Sequence, residues 1–222
     1  MLTTAMITGA AGGLGTALAE ALAPTHRLFL MGRPSSRLDE VTTRFGATAL
    51  PVDLVDTEQL SAAVHSIDRL NVLVHNAGVA FPARVAESSA AEWRNTMEVN
   101  VIGAVALTLA LLPALRAAEG HVVFVNSGSG INVSPGLASY SASKFALRGF
   151  AESLRNDEPS LRVTSIYPGR IATVMQEGLI AYAGDKYDPS LYLSPETVAN
   201  MVANAVNAPS DADIRDVVVR AR

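Results

Sequence analysis

The sequence contains no cysteine, and only 5% of its 222 residues are aromatic. Without cysteine the chain has neither a disulfide framework nor a thiolate for catalysis. The four histidines are scattered without the spacing of metal ligands, so we predict no metal site. They are His26, His65, His75 and His121.

Basic runs and membrane-length apolar runs are also missing. The formal net charge is −4 and no stretch is rich in lysine or arginine, which argues against a nucleic-acid partner. No basic residue precedes Arg27, which argues against a signal peptide. The longest uncharged apolar stretch, Val101–Leu112, is shorter than the roughly 20 residues that span a bilayer, and it predicts a buried helix. We therefore expect a cytoplasmic protein that does not enter a membrane.

Hydrophobic residues make up 49% of the chain and are mostly aliphatic, which suits parallel strands covered by helices on both faces. Apolar runs alternate with helical patterns along the whole length. This alternation predicts an α/β fold: a single Rossmann-type, doubly wound domain over residues 1–222, with about seven parallel strands. The predicted strands are 2–8, 27–31, 47–52, 71–75, 121–126, 162–167 and 216–219.

Tyr140 and Lys144 lie four residues apart in residues 139–155, which have few helix breakers, so we predict that they share one helix face. A nearby cation favours an ionised phenol, and we expect the pKa of Tyr140 to fall from its usual value of about 10. Such a phenol can exchange a proton with an alcohol or a carbonyl near neutral pH. The alternative is an ordinary Tyr/Lys pair on a surface helix.

A glycine cluster joins the first predicted strand to the first predicted helix. Glycine permits a tight turn and a close approach of the backbone to a pyrophosphate, and the helix N-terminus offers unpaired N–H groups to the anion. The spacing differs from the G-x-G-x-x-G fingerprint. The predicted phosphate-binding residues are Gly9, Gly13, Leu14 and Gly15.

These features resemble the short-chain dehydrogenase/reductase family over nearly the full length of the chain. The resemblance implies an NADP(H)-dependent oxidoreductase that interconverts a carbonyl and a secondary alcohol by hydride transfer. The matching motifs, in chain order, are Thr8-Gly9-x-x-x-Gly13-x-Gly15, Asn76-Ala77-Gly78, Asn100, Ser127, Tyr140-x-x-x-Lys144, and Pro168-Gly169 with Thr173.

The resemblance also implies roles at the reacting centre. Tyr140 donates the proton, and Lys144 lowers the pKa of Tyr140 and holds the nicotinamide ribose. Ser127 donates a hydrogen bond to the substrate oxygen, although Ser129 competes for this role. Asn100 resembles the residue that distorts the long helix and supports a water chain to the lysine, and a purely structural role is its alternative.

The choice of cofactor depends on the residue that follows the second strand, where an acidic side chain would repel the 2′-phosphate of NADP. This sequence has Arg33 there, and its guanidinium can bind a phosphate. We predict NADP rather than NAD, with Arg37 as a possible second contact; the alternative is that Arg33 is a solvated surface residue. By resemblance Asp53 and Leu54 flank the adenine, although Asp53 is equally suited to cap a turn.

The remaining cofactor residues also follow from the resemblance. Asn76, Ala77 and Gly78 meet the cofactor after the fourth strand, and His75 replaces the family's usual Asn, which we expect to alter the local hydrogen bonds. The stretch after the sixth strand holds the nicotinamide carboxamide, through Pro168, Gly169, Ile171 and Thr173.

Residues 174–193 carry three of the five tyrosines and predict a short lid over a mostly apolar pocket. The alternative is ordinary packing of a surface helix. Few charged groups lie in this segment, so a multiply anionic substrate is disfavoured. A small-molecule carbonyl or alcohol is the expected partner, and by resemblance we expect a homodimer or homotetramer.

Two other functions remain open on the same fold. A non-catalytic NADP(H)-binding regulator is the first, although it would have no need of Tyr140, Lys144 and Ser127 together. Epimerisation or dehydration of a sugar nucleotide is the second, but it needs a larger C-terminal domain than the 53 residues after Gly169.

Overall fold

The computed structural model describes residues 2–209 and 211–222. Strands and helices alternate along this part of the chain. In order they are β1 (Thr3–Thr8), α1 (Gly13–Leu22), β2 (His26–Gly32), α2 (Ser36–Phe45), β3 (Thr48–Pro51), α3 (Thr57–Val64), β4 (Val72–His75), α4 (Ala90–Met97), α5 (Gly103–Ala118), β5 (His121–Val125), α6 (Ala138–Asp157), β6 (Arg162–Pro168), α7 (Val174–Ala183), α8 (Pro195–Val206) and β7 (Asp216–Val219).

The seven strands form one sheet in the order β3-β2-β1-β4-β5-β6-β7. Every pair of neighbouring strands is parallel, which confirms the predicted doubly wound α/β fold. The chain order reverses between β1 and β4. In open parallel sheets ligands bind at such a switch point, beyond the carboxyl ends of the strands.

Alternate residues of each strand pack against opposite layers of helices. In β1, Ala5 and Ile7 belong to a core cluster with α1, α2 and α8, whereas Met6 belongs to a second cluster with α3, α5 and α6. The sheet is therefore covered on both faces, which explains the nearly continuous apolar runs of its strands.

Several helices begin with a side-chain cap. Ser35 caps α2, Asp56 caps α3, and Ser89 and Glu92 form a capping box at α4. Helix α1 differs, because its N-cap is Gly12, which has no side chain. The amides of the first turn of α1 are therefore left for another acceptor.

Helices α4 and α5 join through a π turn at Glu98–Ile102 and continue through Pro113 to Ala118. This 29-residue run has a mean hydropathy of 2.0 in its most apolar window, and so passes a length and composition test for a membrane span. Core helices pass the same test, and Leu107, Leu111 and Leu115 of this helix are fully buried in the second cluster.

Candidate active site

A cleft of about 1550 Å³ runs along the carboxyl ends of the strands. Apart from Arg37, the possible second phosphate contact, all the residues predicted to bind the cofactor line it, and Ser127 and Ser129 line it too. Asn100 is absent from the lining and lies behind it, 1% exposed. The sheet topology thus brings together motifs that are separated by more than 150 residues in the sequence.

The loop between β1 and α1 requires glycine at two positions. Gly9 has a φ of +66°, and a Cβ there would lie 2.8 Å from Cα of Ala77. A Cβ on Gly15 would lie 2.2 Å from the carbonyl oxygen of Gly9. These close approaches let the backbone line the cleft and turn the uncapped amides of α1 towards it.

Thr8 fastens this loop to the strand beside it. Its Oγ1 accepts hydrogen bonds from the N–H groups of Asn76 and Ala77, both at 3.0 Å. The side chain of Asn76 donates in return to the carbonyl oxygen of Thr8 at 2.9 Å. Thr8 begins the glycine motif of the sequence but was given no role there; its place at the end of a strand directly before Gly9 is the signal for this one.

His75 is buried under the Asn76–Gly78 turn. Its Nε2 lies 2.8 Å from Oγ1 of Thr108, and its ring stacks on Phe124 with a centroid distance of 5.0 Å. Burial, together with the charge of Lys144, lowers the pKa of His75 to about 3, so the imidazole is neutral at physiological pH.

Asn100 occupies the π turn and satisfies all the hydrogen bonds that a buried amide needs. Its Oδ1 accepts from the N–H of Val79 at 2.8 Å, and its Nδ2 donates to the carbonyl oxygen of Val79 at 2.9 Å and to Oγ of Ser143 at 3.0 Å. The residue therefore ties the long helix to the loop after β4 and to α6.

Lys144 is 3% exposed and lies beside Tyr140 on α6. Its Nζ donates to the carbonyl oxygen of Val125 at 3.0 Å and lies 5.7 Å from the centroid of the Tyr140 ring. Burial lowers the pKa of Lys144 to about 8. Tyr140 and Lys144 therefore share one face of α6, as their i, i+4 spacing predicts.

The expected fall in the pKa of Tyr140 is wrong for this structure. Burial of the phenol raises its pKa, and contact with the Ser127 hydroxyl offsets this only in part. Burial disfavours the charged phenolate, and the ammonium of Lys144 donates to the carbonyl oxygen of Val125 rather than to the phenol.

Ser127 lies two residues after the end of β5, and a backbone N–H orients its hydroxyl. Oγ accepts a hydrogen bond from the N–H of Ser129 at 3.0 Å, which leaves its own hydrogen to be donated elsewhere. Asn126, which the sequence analysis did not select, accepts from the N–H of Ser127 at 2.8 Å and donates to the carbonyl oxygen of Lys144 at 3.2 Å. Its signal is a polar residue directly after an apolar strand.

At the far end of the cleft, Arg33 is exposed beyond β2 and lines the wall near Asp53. Arg37 is absent from the lining and pairs with Glu40 at 3.0 Å, so the structure does not favour it as a second phosphate contact. Asp53 accepts from the N–H of Val55 at 3.3 Å, which is the turn cap, and it also lines the cleft.

Helix α7 and the segment after it border the opposite end. The phenol of Tyr182 lines the cleft and donates to Oε2 of Glu87 at 3.3 Å. Tyr187 and Tyr192 stack on each other with a centroid distance of 5.6 Å and are absent from the lining. Of the three clustered tyrosines, Tyr182 is therefore the one placed to meet a ligand.

Comparison with known proteins agrees with this geometry. The sequence pattern of the family described as short chain dehydrogenase matches residues 3–182. Glycine betaine reductase ATRR of Emericella nidulans is 32% identical over 235 residues, which is 98% of this chain but 18% of that protein. An uncharacterized oxidoreductase of Staphylococcus saprophyticus is 30% identical over 230 residues, covering 97% of this chain and 96% of its own length.

Among solved structures, a short chain dehydrogenase from Escherichia coli CFT073 complexed with NADPH superimposes with a TM-score of 0.90. It is 25% identical, and the match covers 98% of this chain and 95% of the other. The chain therefore belongs to the short-chain dehydrogenase/reductase family of oxidoreductases, which act on small molecules.

Proposed function

We propose that this protein is an NADP(H)-dependent oxidoreductase that interconverts a carbonyl and a secondary alcohol. The observation that carries the proposal is the convergence of Ser127, Tyr140 and Lys144 with the glycine loop on one cleft. The cleft then combines a proton donor (Tyr140), a hydrogen-bond donor (Ser127) and a cation (Lys144) with a site for a dinucleotide.

The residues of the cleft fit such a cofactor. Two features of the loop suit a pyrophosphate. At Gly9 and Gly15 a Cβ would clash with the backbone, and α1 begins without a side-chain cap. Arg33 supplies a positive charge beyond β2, where a carboxylate would oppose a 2′-phosphate, so we propose NADP over NAD. The solved relative complexed with NADPH supports the same choice.

The other cofactor contacts carry over from the resemblance. Asp53 and Leu54 flank the adenine. Asn76, Ala77 and Gly78 support the middle of the cofactor. The nicotinamide end is held by Lys144, Pro168, Gly169, Ile171 and Thr173, all of which line the cleft.

NADPH, when bound, supplies the hydride. Burial raises the pKa of Tyr140, so the phenol keeps its proton at neutral pH and is ready to donate it to the oxygen of a carbonyl. Lys144 lies 5.7 Å from the ring and stabilises the phenolate that forms as this proton leaves. Ser127 donates a hydrogen bond to the same substrate oxygen. Asn100 acts as a positioning residue through Val79 and Ser143.

Tyr140→Phe is the direct test. We expect kcat to fall about 10³-fold, because the proton donor is lost, while the Kd for NADPH stays within about twofold of wild type. Tyr187→Phe, which removes a phenol outside the cleft, is the matched control and should keep the wild-type rate. A near-normal rate for Tyr140→Phe would remove it as the proton donor, and tight NADPH binding without turnover on a broad carbonyl panel would favour the regulatory alternative.

Two further comparisons test the assigned roles. Ser127→Ala should lose about 10²-fold or more in kcat, and Ser129→Ala far less, because the Ser127 hydroxyl contacts Tyr140. Arg33→Asp should shift the ratio of kcat/KM towards NAD(H). The reverse order of the serine effects, or a wild-type preference for NAD(H), would contradict the assignments.

We also propose a homo-oligomer built on the helices that flank the site. Ile102 and Leu109 of the long helix are 45% and 61% exposed, and Phe145 of α6 is 42% exposed. Apolar side chains grouped in this way are suited to a symmetric contact between copies. Light scattering tests the proposal: a monomer at micromolar concentration would contradict it, and Leu109→Glu should weaken an assembly that forms.

A further inference from the structure

Arg220, an exposed residue, brings a positive charge to the end of the cleft opposite Arg33. It follows β7, and its Nη1 donates to the carbonyl oxygens of Tyr167 at 2.7 Å and of Val219 at 3.0 Å. These two bonds hold the guanidinium in place without neutralising it, because both acceptors are uncharged. Arg220 lines the same cleft as Tyr140.

The free edge of this guanidinium lies next to the catalytic serine. A Cβ built on Gly128 would lie 3.3 Å from Nη2 of Arg220 and 3.4 Å from its Cζ. A Cβ on Gly169 would lie 3.4 Å from Cδ of Arg220. The arginine therefore packs against the residue that directly follows Ser127 and against the turn that ends β6.

No carboxylate within the described parts of the chain pairs with this charge. The five ion pairs there use Arg37, Arg44, Arg116, Arg148 and Arg215. Arg170, a neighbour of the Gly169 turn, is exposed, lines the cleft and is likewise absent from those pairs. Asp185 of the lid is the acidic residue on this side of the lining, so positive charge exceeds negative charge here.

The cofactor does not account for this charge. The phosphate loop follows β1 and Arg33 follows β2, whereas Arg220 follows β7 at the opposite edge of the sheet. Arg220 packs against Gly169, at the nicotinamide end, where the cofactor carries no anionic group for it to bind. Its charge is therefore available to a substrate. A guanidinium offers two parallel N–H donors, which match a carboxylate better than a neutral group.

We propose that the substrate is an oxo acid, or the corresponding hydroxy acid, whose carboxylate is bound by Arg220. This inference rests on the proposed carbonyl chemistry and adds the substrate class. Because Arg220 adjoins Gly128 and Ser127 binds the reacting oxygen, the carboxylate lies within a few carbon atoms of the carbonyl. The carboxylate itself is unchanged in the reaction.

The test compares matched acids and amides. Acetoacetate and acetoacetamide, and 4-oxopentanoate and 4-oxopentanamide, differ in charge but hardly in shape. With NADPH, we expect wild-type kcat/KM to favour at least one acid over its amide by 10-fold or more. Arg220→Gln should lower this acid-to-amide ratio at least 10-fold, mainly through KM, and Arg220→Lys should restore part of it. Arg222→Gln, an exposed arginine of the same tail outside the cleft, should keep the wild-type ratio.

Each outcome bears on one proposal. If wild type reduces the amides as well as the acids, or if Arg220→Gln keeps the preference, the oxo-acid inference is overturned while the carbonyl chemistry stands. If wild type reduces none of the four compounds, the inference is tested by binding. The acids should then raise the melting temperature of the NADPH-treated protein more than the amides do, and this difference should disappear in Arg220→Gln. Failure of this binding test also overturns the inference. Absence of turnover on any carbonyl, by contrast, counts against the proposed function.

Discussion

The floor of the cleft (residues 8–15, 75–78, 125–130 and 139–144) and its cover (residues 174–193) are built in different ways. In the floor, polar groups are buried and bonded to one another, as in the Thr8–Asn76 and Asn126–Lys144 contacts. In the cover, Val174 is 85% exposed and Tyr182 makes its hydrogen bond at the surface. The floor thus fixes the geometry of the chemistry, whereas the cover is held by few contacts and is free to vary with the substrate.

Glycine substitutions should show the sharpest contrast between the two regions. Gly15→Ala places a Cβ 2.2 Å from a backbone oxygen, so we expect a loss of about 3 kcal/mol or more in stability and a large loss of NADPH affinity. Gly178→Ala lies in α7 with open space around it, and alanine should stabilise that helix by up to about 1 kcal/mol. Urea unfolding and NADPH titration measure both effects. Equal effects at the two glycines would erase the proposed difference.

Asn100→Ala probes the hydrogen bonds behind the floor. It removes three bonds and leaves the N–H and carbonyl of Val79 without their buried partner, so we expect a loss of about 3 kcal/mol in unfolding free energy. The control is Asn204→Ala on the exposed face of α8, which should change stability by less than about 0.5 kcal/mol. A loss below about 1 kcal/mol at Asn100 would mean that water replaces the amide.

The fold could be predicted from the sequence because its signals are local and repeated. Alternating apolar and amphipathic segments gave strands whose ends fall within two residues of those observed. The glycine loop and the Tyr140–Lys144 spacing were predictable for the same reason, since each depends on neighbours in the chain.

Contacts made between distant segments could not be predicted. Arg220 reaches the carbonyl of Tyr167 across 53 positions, and Asn100 reaches Ser143 across 43. The pKa of Tyr140 was mispredicted because spacing reports the neighbouring lysine but not the depth of burial, which is the larger cause. These features depend on tertiary packing, which no local pattern records.

His75 should make the floor sensitive to acid. Burial lowers its folded pKa to about 3, below the ordinary value of 6.5, so the unfolded chain binds the proton first and stability falls as the pH drops below about 6.5. The expected slope from this residue is up to about 1.4 kcal/mol per pH unit, or about 2 kcal/mol between pH 6.5 and 5.

The slope of unfolding free energy against pH, measured by urea titration between pH 7 and 5, tests this. His75→Asn should make the slope shallower, while His121, whose pKa burial also lowers to about 3, keeps part of it. Asn204→Ala, which removes an exposed and uncharged side chain, is the control and should leave the slope as in wild type. An unchanged slope in His75→Asn would contradict the prediction, because it would mean that His75 binds its proton equally well in the folded and the unfolded chain.

The smallest effect is expected in the cover. Tyr182→Phe removes a hydroxyl that donates to Glu87 at 3.3 Å, but both side chains are exposed and water can take over the bond. We therefore expect a change below about 0.5 kcal/mol in stability and a change in KM of no more than a few fold, with kcat unaffected. Tyr187→Phe is the comparison, because that phenol belongs to the same segment and does not line the cleft. A loss above about 1 kcal/mol, or a fall in kcat, would mean that this contact holds the cover as firmly as Asn100 holds the floor, and that closure over the substrate depends on it.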